Sequence, residues 1–140
     1  MMRRPRNLLW FEMLVAIACS ARVIEVMTNS AVMQPGGKLS VGSHIALMTV
    51  VWAIPLPIAW LASHRANNVA RWAFAAGSHA IAAIFVYRVF ATDFGIGWNI
   101  VWVGLAAALD VAASWQLFQP EAQRWFRGER DPAEIADVFA

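Results

Sequence analysis

Four long apolar stretches in a chain of 140 residues constrain this polypeptide more than any other feature, because lipid accepts such segments as helices and water does not. A spanning helix needs about 20 residues to cross a hydrocarbon core of roughly 30 Å. That template fits about Leu8 to Met27, His44 to Ala62, Val69 to Phe90 and Gly97 to Phe118, and no fifth segment fits it. Composition points the same way, with 60% hydrophobic and 14% charged residues against roughly 45–50% and about 25% in ordinary soluble domains. A soluble domain this small would leave the surplus as contiguous apolar patches in water. The fold class expected is therefore all-α. Residues 1–118 form an integral membrane four-helix up-and-down bundle, and residues 119–140 form a short, amphipathic, cytoplasmic tail along the interface.

Positive charge sets the orientation. Arg3, Arg4 and Arg6 precede the first segment, Arg65 and Arg71 flank the second loop, and Arg124, Arg127 and Arg130 follow the fourth segment. The other two loops carry only Lys38. Both termini are thus expected on the cytoplasmic side, which requires an even number of crossings. The first segment is interrupted by Glu12, Arg22 and Glu25, and its helix has room to run on to Met33 before Gln34-Pro35-Gly36-Gly37 stops it. An arginine-rich start before an apolar stretch also fits a signal peptide. Against that, Glu12 breaks the apolar region, and Ala16 in Ala16-Ile17-Ala18-Cys19 stands where a lipoprotein cleavage box has Leu, so the first segment is expected to stay.

Trp10, Trp60, Trp72, Trp115 and Trp125 fall near the cytoplasmic helix ends and Trp98 at the opposite face, as interfacial anchors do. Small residues crowd the third and fourth segments, in Ala75-Ala76-Gly77-Ser78, Ala80, Ala82-Ala83, Gly104 and Ala106-Ala107-Ala108. In lipid such a surface is either the internal seam of the bundle or a docking face for another membrane subunit. Pro55 and Pro57 predict a kink near the middle of the second span. In the tail, Pro120 opens an interfacial turn around Trp125-Phe126, and Asp131-Pro132-Ala133-Glu134 reads as a cap and first turn. The single Cys19 excludes an internal disulfide and reads as a small core residue.

An ionisable side chain inside a span costs a few kcal/mol on insertion scales, so each one needs a partner or a purpose. Counting outward from the loops places residues of neighbouring antiparallel helices at matching depth within about a turn. On that count His44, Arg88 and Glu25 share an outer layer and form a candidate polar cluster, with Arg22 paired to Glu25 one turn along its own helix. Asp110 falls close to the level of His79 near the bilayer centre. Such a carboxylate and imidazole either fix how two helices face each other or pass a proton. Glu12 and Arg71 are shallow enough to snorkel. A haem held by two histidines needs both at one depth, whereas His44, His79 and His64 lie at three different levels. No metal site, cofactor or nucleic-acid partner is expected.

Ser63-His64-Arg65 running into Asn68-Val69-Ala70-Arg71-Trp72, and Leu117-Phe118-Gln119-Pro120-Glu121-Ala122 followed by Arg124-Trp125-Phe126, resemble the interfacial signatures of small, mostly uncharacterised bacterial inner-membrane proteins with four transmembrane helices. The resemblance covers a small part of the chain and implies topology and a multi-pass place in the bacterial inner membrane, not chemistry. Small multidrug transporters also combine four helices with a membrane glutamate in the first, but neither Glu12 nor Glu25 sits in that family's sequence context. The leading expectation is a non-enzymatic accessory or assembly subunit whose partners are the lipid bilayer and either copies of itself or other membrane subunits. The alternative is a small proton- or cation-coupled carrier that titrates Asp110 and His79 and flexes at Pro55 and Pro57. A membrane enzyme ranks below both, because no nucleophile with a base, paired metal ligands or phosphate loop occurs at usable spacing.

Overall fold

The computed structural model describes residues 5–28, 42, 43, 46, 50, 54–91 and 98–128. Among these residues the chain is all-helical, with α1 (Arg6–Thr28), α2 (Pro55–Arg65), α3 (Asn68–Ala91), α4 (Trp98–Gln116) and the short α5 (Pro120–Arg127). Each long helix turns one stripe inward at the spacing of three and four residues that a 3.6-residue turn demands. On α1 the stripe is Leu8, Phe11, Val15, Ala18, Cys19 and Val26; on α4 it is Ala106, Ala107, Asp110, Ala113 and Ser114.

Packing follows a ring. α1 lies along α4, α4 along α3, α3 along α2 and α2 along α1. The densest core sits at one end of this ring, where Leu8, Phe11 and Val15 near the start of α1 meet Ala59 and Ala62 near the end of α2. Ala70 and Phe74 from the start of α3, Ala113 from the end of α4 and Leu117 just beyond it complete that core. Starts and ends of successive helices converge, so neighbours run antiparallel. The rings of Phe11 and Phe74 meet edge to face at 5.0 Å, the arrangement that matches the positive rim of one to the negative face of the other.

Two local devices shape this end. Ala66 caps α2 in the left-handed conformation (φ 48°), and Asn67 then caps α3, its Oδ1 accepting from the Ala70 N–H at 3.0 Å. After α4 the chain bends by 61° into α5. Pro120 stands in the first turn, where a proline lacks nothing the helix needs, and Gly128 (φ 70°) closes the last turn. α5 buries Ala122 and packs Trp125 and Phe126 against the core while Glu121, Gln123 and Arg127 face outward.

α3 is the described helix clearly long and apolar enough to cross a membrane, and only 17% of its most apolar window is buried inside the fold. The stretch from Ile100 to Gln116 passes the same test only together with α5, as one bent pair. Pro55 and Pro57 lie in the first turn of α2, and the Ile54 N–H just before them donates to the Val50 carbonyl oxygen at 3.4 Å; residues 51–53, over which the expected kink falls, lie outside the described residues. Eight of the 19 residues of the second apolar stretch, His44 among them, and the expected turn at Asp131 lie outside the described residues.

Candidate functional site

The inward stripes carry three polar constellations. In the first, Arg22 on α1 donates through Nη2 to Asp110 Oδ2 on α4. Asp110 is 2% exposed. The positions follow from the stripes: Arg22 is one turn beyond Ala18 and Cys19, and Asp110 lies one turn from both Ala106 and Ser114, so both point to the α1–α4 seam. The Cys19 thiol is buried beside both charges. Asp110 Oδ1 is buried and accepts no hydrogen bond among the described residues.

Arg22, expected to pair along its own helix with Glu25, reaches across to Asp110. That partner corrects the expectation for Asp110. His79 stays exposed on α3, with Nδ1 at 2.8 Å from the Ala75 carbonyl oxygen of its own helix, and the described contacts do not bring it to Asp110. It follows Ser78, which faces the core, and one residue is a rotation of about 100°. Glu25 is half-buried on α1 and Arg88 exposed near the end of α3, whereas His44, the third member of the expected outer cluster, is outside the described residues.

The second constellation was not read from the sequence. Ser63, fully buried near the end of α2, donates to Glu12 Oε1 on α1 at 2.5 Å. His64 Nδ1 lies 3.0 Å from Ser63 Oγ and 3.1 Å from the same Glu12 oxygen. The His64 ring stacks on Trp60, with centroids 5.5 Å apart, and the Arg65 guanidinium lies over the Trp60 ring at 5.6 Å. An open groove of about 350 Å³ runs beside them, lined by Glu12, Val15, Leu56, Ala59, Trp60 and His64. Serine, histidine and a carboxylate lie together here, but in an order unlike a hydrolytic triad, in which the imidazole stands between the other two: Ser63 Oγ is closest to Glu12 Oε1, and His64 Nδ1 contacts both Ser63 Oγ and that same Glu12 oxygen. The group clamps α1 to α2. Depth counting held the signal, since Glu12 lies early in the first apolar stretch and Ser63-His64 just after the end of the second.

In the third, Arg71 does not snorkel. It is 9% exposed, and its guanidinium lies over the rings of Phe118 at 4.2 Å and Phe126 at 4.9 Å. Trp72, at 5.9 Å, packs edge-on against Phe118. Its Nε is buried and has no hydrogen-bond partner among the described residues. Among those residues no three His, Cys, Asp or Glu side chains converge on a point where a metal ion would bind. No family model matches the chain, and no curated protein or solved structure matches it.

Proposed function

We propose that the chain is a multi-pass membrane protein of the bacterial inner membrane whose role is structural: an accessory or assembly subunit that packs against a larger complex or against copies of itself, with no reaction of its own. An apolar exterior around a core that also holds polar groups carries this reading. Polar groups lie inside, at Ser63, Arg71, Ser78, Asp110 and Ser114, while Trp10, Met13, Ile17, Ile84, Tyr87 and Phe90 point outward. Water would penalise that exterior, and acyl chains would not. α1, at 23 residues, has the length of a span, and its deep charge at Arg22 is offset by Asp110. That pairing lowers the cost that insertion scales assign to an isolated arginine.

The small residues of α3 support association. Phe74, Ala75 and Ser78 face the core, while Ala76, Gly77, Ala80 and Ala83 form an outward stripe, and a Cβ at Gly77 would meet nothing within 4 Å. Such a stripe lets a second membrane helix approach closely. A carrier that titrates Asp110 with His79 is the rival, and the partner observed for Asp110 weakens it, because a guanidinium does not give up its proton. Native mass spectrometry after extraction in mild detergent tests the proposal. A stable assembly, either homo-oligomer or with other membrane subunits, is expected; recovery of a lone monomer under all mild conditions contradicts it.

A further inference from the structure

Among the described residues, Arg71, Asp110 and Trp125 each have a buried side-chain nitrogen or oxygen without a hydrogen-bond partner, and of the three Arg71 alone carries a positive charge. No hydrogen bond or ion pair of its guanidinium is found among the described residues, although the side chain is nine-tenths buried. Arginine cannot neutralise itself by losing a proton, so the charge remains. The rings of Phe118 and Phe126 attract the cation and hold its plane, but they offer none of the lone pairs that its N–H fork requires. Nε is buried without a partner among the described residues, and the Nη groups of a fork held flat by aromatic rings are organised to donate to a tetrahedral oxyanion.

The surroundings favour negative charge. Arg71 stands in the first turn of α3, at the positive end of a helix of 24 residues. α5, which brings Phe126 onto it, carries Arg124 and Arg127 in its last turn. We infer that Arg71, framed by Phe118 and Phe126 at the α3 N-terminus, is the base of a phosphate-binding site. Its ligand is the phosphodiester of an anionic lipid headgroup or a free phosphate. The lipid source rests on the membrane reading above; the free anion does not.

Thermal unfolding of the full chain in mild detergent, with and without added ligand, tests the site in two arms. One adds phosphatidylglycerol, with diacylglycerol as the phosphate-free control; the other adds inorganic phosphate. The expected result is a rise in Tm with phosphatidylglycerol that diacylglycerol does not give, and affinity at least about tenfold lower in Arg71→Gln, the loss expected for a charge-assisted hydrogen bond. An equal, Arg71-dependent rise with inorganic phosphate assigns the site to the free anion and supports it as well. A response to both that is unchanged in Arg71→Gln, or no response in the wild type, overturns it. If Arg71→Gln does not fold, Arg71→Lys carries the test: it keeps the charge, loses the planar fork and is expected to bind more weakly, and equal binding contradicts the proposal. A chain that stays monodisperse without detergent refutes the membrane reading, and the phosphate arm still decides the site.

Discussion

Arg22 and Asp110 stand 88 positions apart in the chain and meet inside the helical ring, where a guanidinium Nη2 donates to a carboxylate Oδ2 across the α1–α4 seam. Removing one partner strands the other charge in a medium that cannot solvate it. Arg22→Met or Asp110→Leu alone is therefore expected to lower stability by about 3 kcal/mol. The double variant Arg22→Met/Asp110→Leu is expected to recover most of that loss, because two apolar side chains need no partner. Unfolding of the four proteins in one detergent closes the double-mutant cycle; additive losses would show that the pair is not coupled.

Ser63 and Glu12 make the corresponding link between α1 and α2. The hydroxyl is fully buried and donates to a carboxylate, so Ser63→Ala is expected to cost about 1.5 kcal/mol, near the lower end for hydrogen bonds to charged groups. His64→Ala is expected to cost less, since its ring is exposed and solvent screens its contact with Glu12. Chemical or thermal unfolding of the two variants in detergent checks the order.

The extent of α3 was legible and the facing of its side chains was not. It was expected over Val69 to Phe90 and spans Asn68–Ala91, because its apolar run is long, holds few polar residues and has Asn67 to cap its start. Pro55 and Pro57 suit the first turn of a helix and a bend within a span equally, so the spacing of the prolines alone did not locate the start of α2 at Pro55. Depth counting set Asp110 beside His79, whereas its partner is Arg22 on α1, because a count from the loops carries no azimuth. A difference of one residue between Ser78 and His79 separates the core from the exterior, and no count from a loop resolves that. Arg71 was misread for a related reason: its shallow depth suggested water, but the bend after α4 folds Phe126 over it.

The α3–α4 seam separates two glycines. A Cβ at Gly104 would lie 3.0 Å from Phe85 Cζ, whereas one at Gly77 meets nothing. Gly77→Ala is expected to raise the stability of the monomer in detergent by about 0.5–1 kcal/mol through lower backbone entropy in the unfolded chain. Gly104→Ala is expected to lose that gain to crowding against the ring. Comparison of the two Tm values decides it.

Ala66 holds the left-handed conformation at the end of α2, a region that costs a residue with a Cβ roughly 1–2 kcal/mol. Ala66→Gly removes the clash and is expected to stabilise the fold by about 1 kcal/mol once the entropy of glycine is counted. Unfolding midpoints of wild type and variant measure it.

The central claim, that lipid covers this helical ring and that its termini share the cytoplasmic face, is tested most directly by cysteine accessibility in intact cells. In a Cys19→Ala background, Lys38→Cys is expected to react with a membrane-impermeant maleimide from outside. Asn67→Cys, at the turn between α2 and α3, is expected to react only after the membrane is opened. Labelling of Asn67→Cys in sealed cells, or recovery of the whole chain in the detergent-free soluble fraction, would contradict the account.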